Sequence, residues 1–254
     1  MSIAESAARQ ALADTVELLR ETGLLSAVRE LHREVWATNL DRYEPDELGD
    51  TPRSLGLLCH ENFTARAVRR HQCSELEPKA HHWNIAGLDV STPSGVLTFQ
   101  IGNRRIVGMK VPPSERRTPC WDRFAVWDNE SNTRLQIAKE NSKTLGDYRT
   151  PSPGQGELAD FHRELGRTPG QVRDFLYVWA GELASPLTAG WLTVPVLGEQ
   201  PFVAVAPLWH DRDDDRNRTI HTRRRGPEGP NFDQKPATQP SVTLKPKRAS
   251  VGGA

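Results

Sequence analysis

Within residues 59–82 the chain gathers Cys59, His60, His71, Cys73, His81 and His82, thiol and imidazole ligands of the kind that hold zinc. On a continuous helix His60 and His71 fall close to three full turns apart and share nearly one face. The short spacings that pre-form half of a site are nevertheless missing. Neither CxxC nor HxxxH occurs, and His60-Glu61 opens like HExxH with Thr64 where the second histidine would stand. These residues therefore read as a small buried thiol, exposed helix histidines and a loop His-His pair. The expectation is no metal and no other cofactor.

Carboxylates offer the second possibility, because paired acids with a lysine can hold Mg²⁺ and activate water. A helix bearing Glu61, then Asp89 at a strand end, then a hairpin resembles the element order of restriction-endonuclease-like nucleases. The resemblance implies an acid, followed on the next strand by an acid and a lysine spaced one apart. Here the corresponding strand reads Phe99-Gln100-Ile101-Gly102, with neither, and Lys110 is on the strand after it. What the resemblance implies is thus a degenerate site made of Glu61, Asp89 and Lys110. Read without it, Asp89 is a strand-end or turn residue.

Other chemistries have less local support. No GxSxG elbow is present, and Cys120, between Pro119 and Trp121, has no identifiable histidine partner. Neither GxxxxGK[ST] nor GxGxxG occurs, and Gly154-Gln155-Gly156 reads as a turn. Trp121, Trp127, Trp179, Trp191 and Trp209 fall in or beside β-forming segments. Exposed, they would make a stacking surface; buried, they are core, and burial is the expected outcome for side chains with so large an apolar area. Arg223, Arg224, Arg225, Lys245, Lys247 and Arg248 are the dense basic clusters outside helix ends, so any nucleic-acid contact is expected to be weak and carried by them.

The totals set the frame. With 254 residues, 36% of them hydrophobic, the chain can bury one good-sized core or two small ones. Formal net charge is zero, so no global field selects nucleic acid, membrane or an acidic substrate. Arginine well in excess of lysine, with abundant Ala, Pro and Gly, reads as a GC-rich bacterial coding bias. Three cysteines in no paired spacing suit a reduced, cytoplasmic chain. No apolar run approaches the ~20 residues of a membrane span, and no membrane partner is expected.

The elements that would position these residues begin with Ser2-Ile3-Ala4-Glu5, a capping-box pattern ahead of an apolar helical face. Gly23 then separates two amphipathic stretches, read as an αα-hairpin over residues 1–38, with one long helix weakened at Gly23 as the alternative. Thr51-Pro52 starts a third helix over 52–70. Residues 84–209 are the sheet-forming region. Leu97, Phe99 and Ile101 alternate with Val96, Thr98 and Gln100, and Gly102-Asn103 makes a hairpin turn. A two-residue turn places Ile101 opposite Arg104, Phe99 opposite Ile106 and Leu97 over Gly108. A strand is expected over 121–127, and a helix or strand around Thr133 to Ala138, capped by Asp128 or Ser131 if helical. A loop over 151–156 and a short helix around Leu158 to Leu165 follow, then a doubly covered strand over 175–180. A final antiparallel pair covers 191–197 and 202–208, with Pro195 at an edge or bulge.

The resulting expectation is an α+β protein. N-terminal helices pack on a mainly antiparallel sheet in a single domain, residues 1–210, and a disordered charged tail covers 211–254. For function the sequence favours a non-catalytic regulatory or interaction protein whose partner it does not name. The alternative is a metal-dependent nuclease or other hydrolase.

Overall fold

The computed structural model describes residues 2–73, 82–110, 131–146, 148–150, 170–198 and 200–211. The expected strand at 121–127, the loop at 151–156, the helix at 158–165 and the tail from 212 lie outside the described residues. So do His81, Cys120, Trp121, Trp127, Arg223, Arg224, Arg225, Lys245, Lys247 and Arg248.

Helix α1 (Ile3–Glu21) starts where Ser2 accepts a hydrogen bond from the Glu5 backbone at 3.1 Å. It stops at Thr22, because Gly23 takes φ +77°, a conformation other residues rarely adopt. Helix α2 (Leu24–Leu40) follows at once, so Gly23 divides the segment into two helices and it is not one long helix. Helix α3 (Pro52–Gln72) begins with a capping box between Thr51 and Ser54, with proline in its first turn. Arg66 and Arg70 of α3 both pair with Glu34 of α2, which fixes how the two helices lie together.

The strands are β1 (Leu88–Ser91), β2 (Thr98–Ile101), β3 (Arg104–Lys110), β4 (Arg149–Thr150), β5 (Asp174–Gly181), β6 (Thr188–Pro195), β7 (Leu197–Gly198) and β8 (Phe202–His210), with helix α4 (Asn132–Thr144) between β3 and β4. Six of them form one sheet, ordered β1-β2-β3-β5-β6-β8, and β4 and β7 pair separately. All neighbours in the large sheet are antiparallel except β3 and β5. The β2–β3 hairpin has the expected two-residue register, with Phe99 opposite Ile106 and Thr98 opposite Val107. Leu97 covers Gly108, whose N–H donates to the Leu97 carbonyl at 2.8 Å. Pro195 falls at a register shift between β6 and β8, the bulge that spares it a ladder hydrogen bond.

Alternation along the strands sorts the core into two sides. Helices α1, α2 and α3 cover one side, over Phe99, Ile106, Phe175, Tyr177, Trp179 and Leu192. The other holds Val107, Leu176, Val178, Trp191 and Phe202, with Ile137 of α4. The segment around residues 133–138 is thus helix, capped by Ser131. Buried Asn141 of α4 donates to the carbonyls of Asp174 and Pro195 at 2.9 and 3.0 Å. Trp179, Trp191 and Trp209 are all core.

One boundary needs correction. The sequence groups Asp211 with a tail of charged residues, yet Asp211 is 2% exposed. It accepts from the backbone N–H and the hydroxyl of Thr188, each at 2.9 Å, and from Arg29 of α2 at 2.7 and 3.1 Å. Arg33 approaches to 3.7 Å. Four donors and a second cation offset the desolvation that a lone buried carboxylate would suffer.

Candidate functional site

Helix α3 decides where the acids and the lysine go. Leu55, Cys59, Phe63, Ala67 and Arg70 form its buried stripe. Glu61, two residues from Cys59, is rotated about 200° from it and stands exposed on the outer surface. Asp89 lies on edge strand β1, exposed, with His71 of α3 at 3.7 Å. Lys110 ends β3 and lies against Gly56, near the start of α3.

From Gly56 to His71 is fifteen residues, roughly 22 Å along the helix. The strand register agrees: Asp89 faces Gln100, Gln100 faces Arg105, and Lys110 is five residues further on. Two strand spacings across and five residues along separate Asp89 from Lys110 by roughly 19 Å. Glu61, Asp89 and Lys110 therefore do not share one metal's reach. Two residues before Lys110 stands Gly108, so the lysine's own strand also lacks the acid that the nuclease resemblance implies.

Of the cysteine and histidine set, Cys59, His60, His71 and Cys73 are dispersed along the same helix and its C-cap. Cys59 is fully buried near the start of α3, while Cys73 caps its end, roughly 21 Å away. Among the described residues no three His, Cys, Asp or Glu side chains converge as metal ligands.

What the fold does assemble is a seam of polar side chains between α2, α3 and the sheet. His32 of α2 is fully buried and stacks on Phe63 of α3, with ring centroids 3.5 Å apart and planes inclined by 14°. Trp179 lies at 4.5 Å, Tyr177 at 5.5 Å and Trp209 at 5.9 Å. Both His32 ring nitrogens and the Tyr177 hydroxyl lack a hydrogen-bond partner among the described residues, as do His60 Nδ1 and the Thr64 hydroxyl on α3. By contrast, the Trp36 indole donates to the Glu182 carbonyl at 3.0 Å, and the Trp209 indole to the Thr188 hydroxyl at 3.0 Å.

Electrostatics along the seam follow from burial. Desolvation holds His32 well below its usual pKa, with His60 adding to the effect, so His32 is neutral. His60 is also lowered, first by burial, with Glu61 pulling the other way. The Cys59 thiol is pushed up to about 12 by burial, against the pull of Lys110, and stays protonated at neutral pH. Lys110 is lowered by burial, partly countered by Cys59. Beside the seam, a cavity of about 20 Å³ is lined by Leu19, Leu24, Val28, Phe99, Tyr177 and Leu208, among others. It has room for a single water.

No family model, curated protein or solved structure matches this chain. Sequence reasoning missed His32, Gly56 and Asp211. His32 follows Leu31 on the stripe that runs through Val28 and Val35, so helical periodicity marks it as inward-facing. Gly56 was visible as a glycine in a helix interior, where it is unfavourable unless something needs the space.

Proposed function

We propose that this chain is a cytoplasmic, non-catalytic regulatory or interaction protein. The observation that carries the reading is the placement of Glu61, Asp89 and Lys110. A metal-dependent nuclease needs those groups around one metal, whereas Glu61 is on the outer face of α3, Asp89 is on β1 beside the end of that helix, and Lys110 is on β3 beside its start. Surface composition adds support, because three of the four large apolar side chains left exposed among the described residues, Leu48, Leu57 and Leu58, fall within eleven consecutive positions. Among the described residues no helix is long and apolar enough to cross a membrane. In this reading nucleic acid is at most a weak, sequence-tolerant ligand of Arg223, Arg224, Arg225, Lys245, Lys247 and Arg248.

The alternative is the degenerate nuclease, whose helix, strand and hairpin order the fold does contain as α3, β1 and β2–β3. A salt titration of labelled duplex DNA, with the whole chain and with residues 1–215, separates the two. Neutralising about three to six phosphates gives a log K against log salt slope of roughly −3 to −5 for the whole chain. Residues 1–215 should bind negligibly. Tight binding by residues 1–215 would overturn the proposal and put the alternative first.

A further inference from the structure

Lys110 occupies a niche built to its shape. A Cβ added at Gly56 would lie 2.4 Å from Lys110 Nζ, 2.9 Å from Cε and 3.3 Å from Cδ. The lysine thus runs along the bare backbone of α3, where any other residue would push it away. Gly56 is buried although it interrupts a helix, where alanine would be favoured by about 1 kcal/mol. Cys59 and His60 of α3 are within electrostatic reach of the same amine, and Trp179 is opposite Lys110 in the β3–β5 register. Among the described residues the Lys110 side chain takes part in no ion pair or hydrogen bond. A half-buried ammonium with no counter-ion among the described residues is held there in its less favourable form. Cys59 supplies no counter-charge, because its thiol stays protonated at neutral pH.

We propose that Lys110 is a reactive amine that condenses with small uncharged aldehydes. Its nitrogen lone pair attacks the carbonyl carbon, and a C–N bond forms as the carbonyl π bond opens to give a carbinolamine. The C–O bond then breaks, and the oxygen leaves as water carrying the two hydrogens of the amine. The product is an imine, with no change of oxidation state. Desolvation of an amine in an apolar setting is an established route to lysine nucleophilicity. The depressed pKa of Lys110 acts in the same direction. The niche adds selectivity for uncharged carbonyl compounds, because among the described residues it offers no second cation for an anionic one.

The test uses the whole chain, which has only seven lysines. It is exposed to trace propanal with cyanoborohydride at pH 7, and each lysine's alkylation is followed by peptide mass spectrometry. Lys139 and Lys143, both exposed on α4, are internal standards. Lys110 should be alkylated at least about fivefold faster than either, and its lead should shrink as pH rises toward 10. Gly56→Ala is the decisive variant. Its methyl displaces only the flexible end of a side chain, so the fold is kept, while Lys110 is expelled toward solvent. Its rate should then fall to that of Lys139. Lys110 reacting no faster than the standards in the unmodified protein would overturn the proposal. So would a lead that survives in a folded Gly56→Ala variant.

Discussion

Removing the carboxylate of Asp211 should uncouple the last strand from α2. In Asp211→Ala the Thr188 N–H loses its acceptor at a position 2% exposed. One buried donor left unsatisfied costs about 1–3 kcal/mol. The charge pair with Arg29 is lost as well, but that side chain is 29% exposed and can rehydrate, so its share is at most about 1 kcal/mol. The Thr188 hydroxyl, on the same buried residue, loses the same acceptor. A loss of about 3 kcal/mol corresponds to a fall in Tm of roughly 6–12 °C for a body of this size. Three chains make the comparison in thermal melts at pH 7: Asp211→Ala, residues 1–210 and residues 1–215. The first two should melt low together, and the third should match the whole chain. Burial alone would raise the Asp211 pKa, but the Thr188 N–H, Arg29, the Thr188 hydroxyl and Arg33 outweigh it and hold it below the usual carboxylate value. Its contribution is therefore fully present above pH ~3.9 and is lost as pH falls through the lowered folded value, so the gap between wild type and Asp211→Ala should narrow steadily as pH drops below ~3.9. Residues 1–210 melting within 2 °C of residues 1–215 would refute the reasoning.

Three further outcomes are expected. Phe99→Ala removes the aromatic partner of Ile106 and should cost about 3–5 kcal/mol in urea melts. Gly181→Ala would place a Cβ 2.3 Å from the buried Trp36 ring, so a loss of about 1–3 kcal/mol is expected, read by urea melts and by the Trp36 contribution to near-UV circular dichroism. His32 stays neutral in the fold while the unfolded chain takes up a proton near pH 6.5, so its contribution is intact above that pH and declines below it, by up to about 1.4 kcal/mol per pH unit. His32→Phe should raise stability at pH 7 by about 1 kcal/mol or more and flatten the slope between pH 7 and 5; an unchanged slope would contradict this.

The parts of the fold legible in the sequence are those set by neighbours along the chain. Ser2, Gly23, Thr51 and Ser131 announce helix ends through their own hydrogen bonds or backbone freedom. The β2–β3 register follows from a two-residue turn and from the need to keep Phe99 and Ile106 on one side. Long-range placement was not legible. Nothing in residues 104–110 says that their second neighbour is a parallel strand at 174–181, because that pairing is decided by packing across the whole sheet. The candidate groups show the same divide. Glu61 is on a helix as expected, while Asp89 is within β1 and not at a strand end; their separation depends on how α3 crosses the sheet, which periodicity does not encode. Asp211 looked like tail because its immediate neighbours are charged; the partners that make it core, Arg29 and Thr188, are 182 and 23 residues away.

The proposed role is tested most directly by hydrolysis. Supercoiled, linear and single-stranded DNA and single-stranded RNA, incubated with the purified chain and Mg²⁺ or Mn²⁺, should be cleaved no faster than in EDTA, and Glu61→Ala and Asp89→Ala should behave as the unmodified protein does. Metal-dependent cleavage that both substitutions abolish would contradict the interaction-protein reading, because it would require α3 and β1 to bring those carboxylates together.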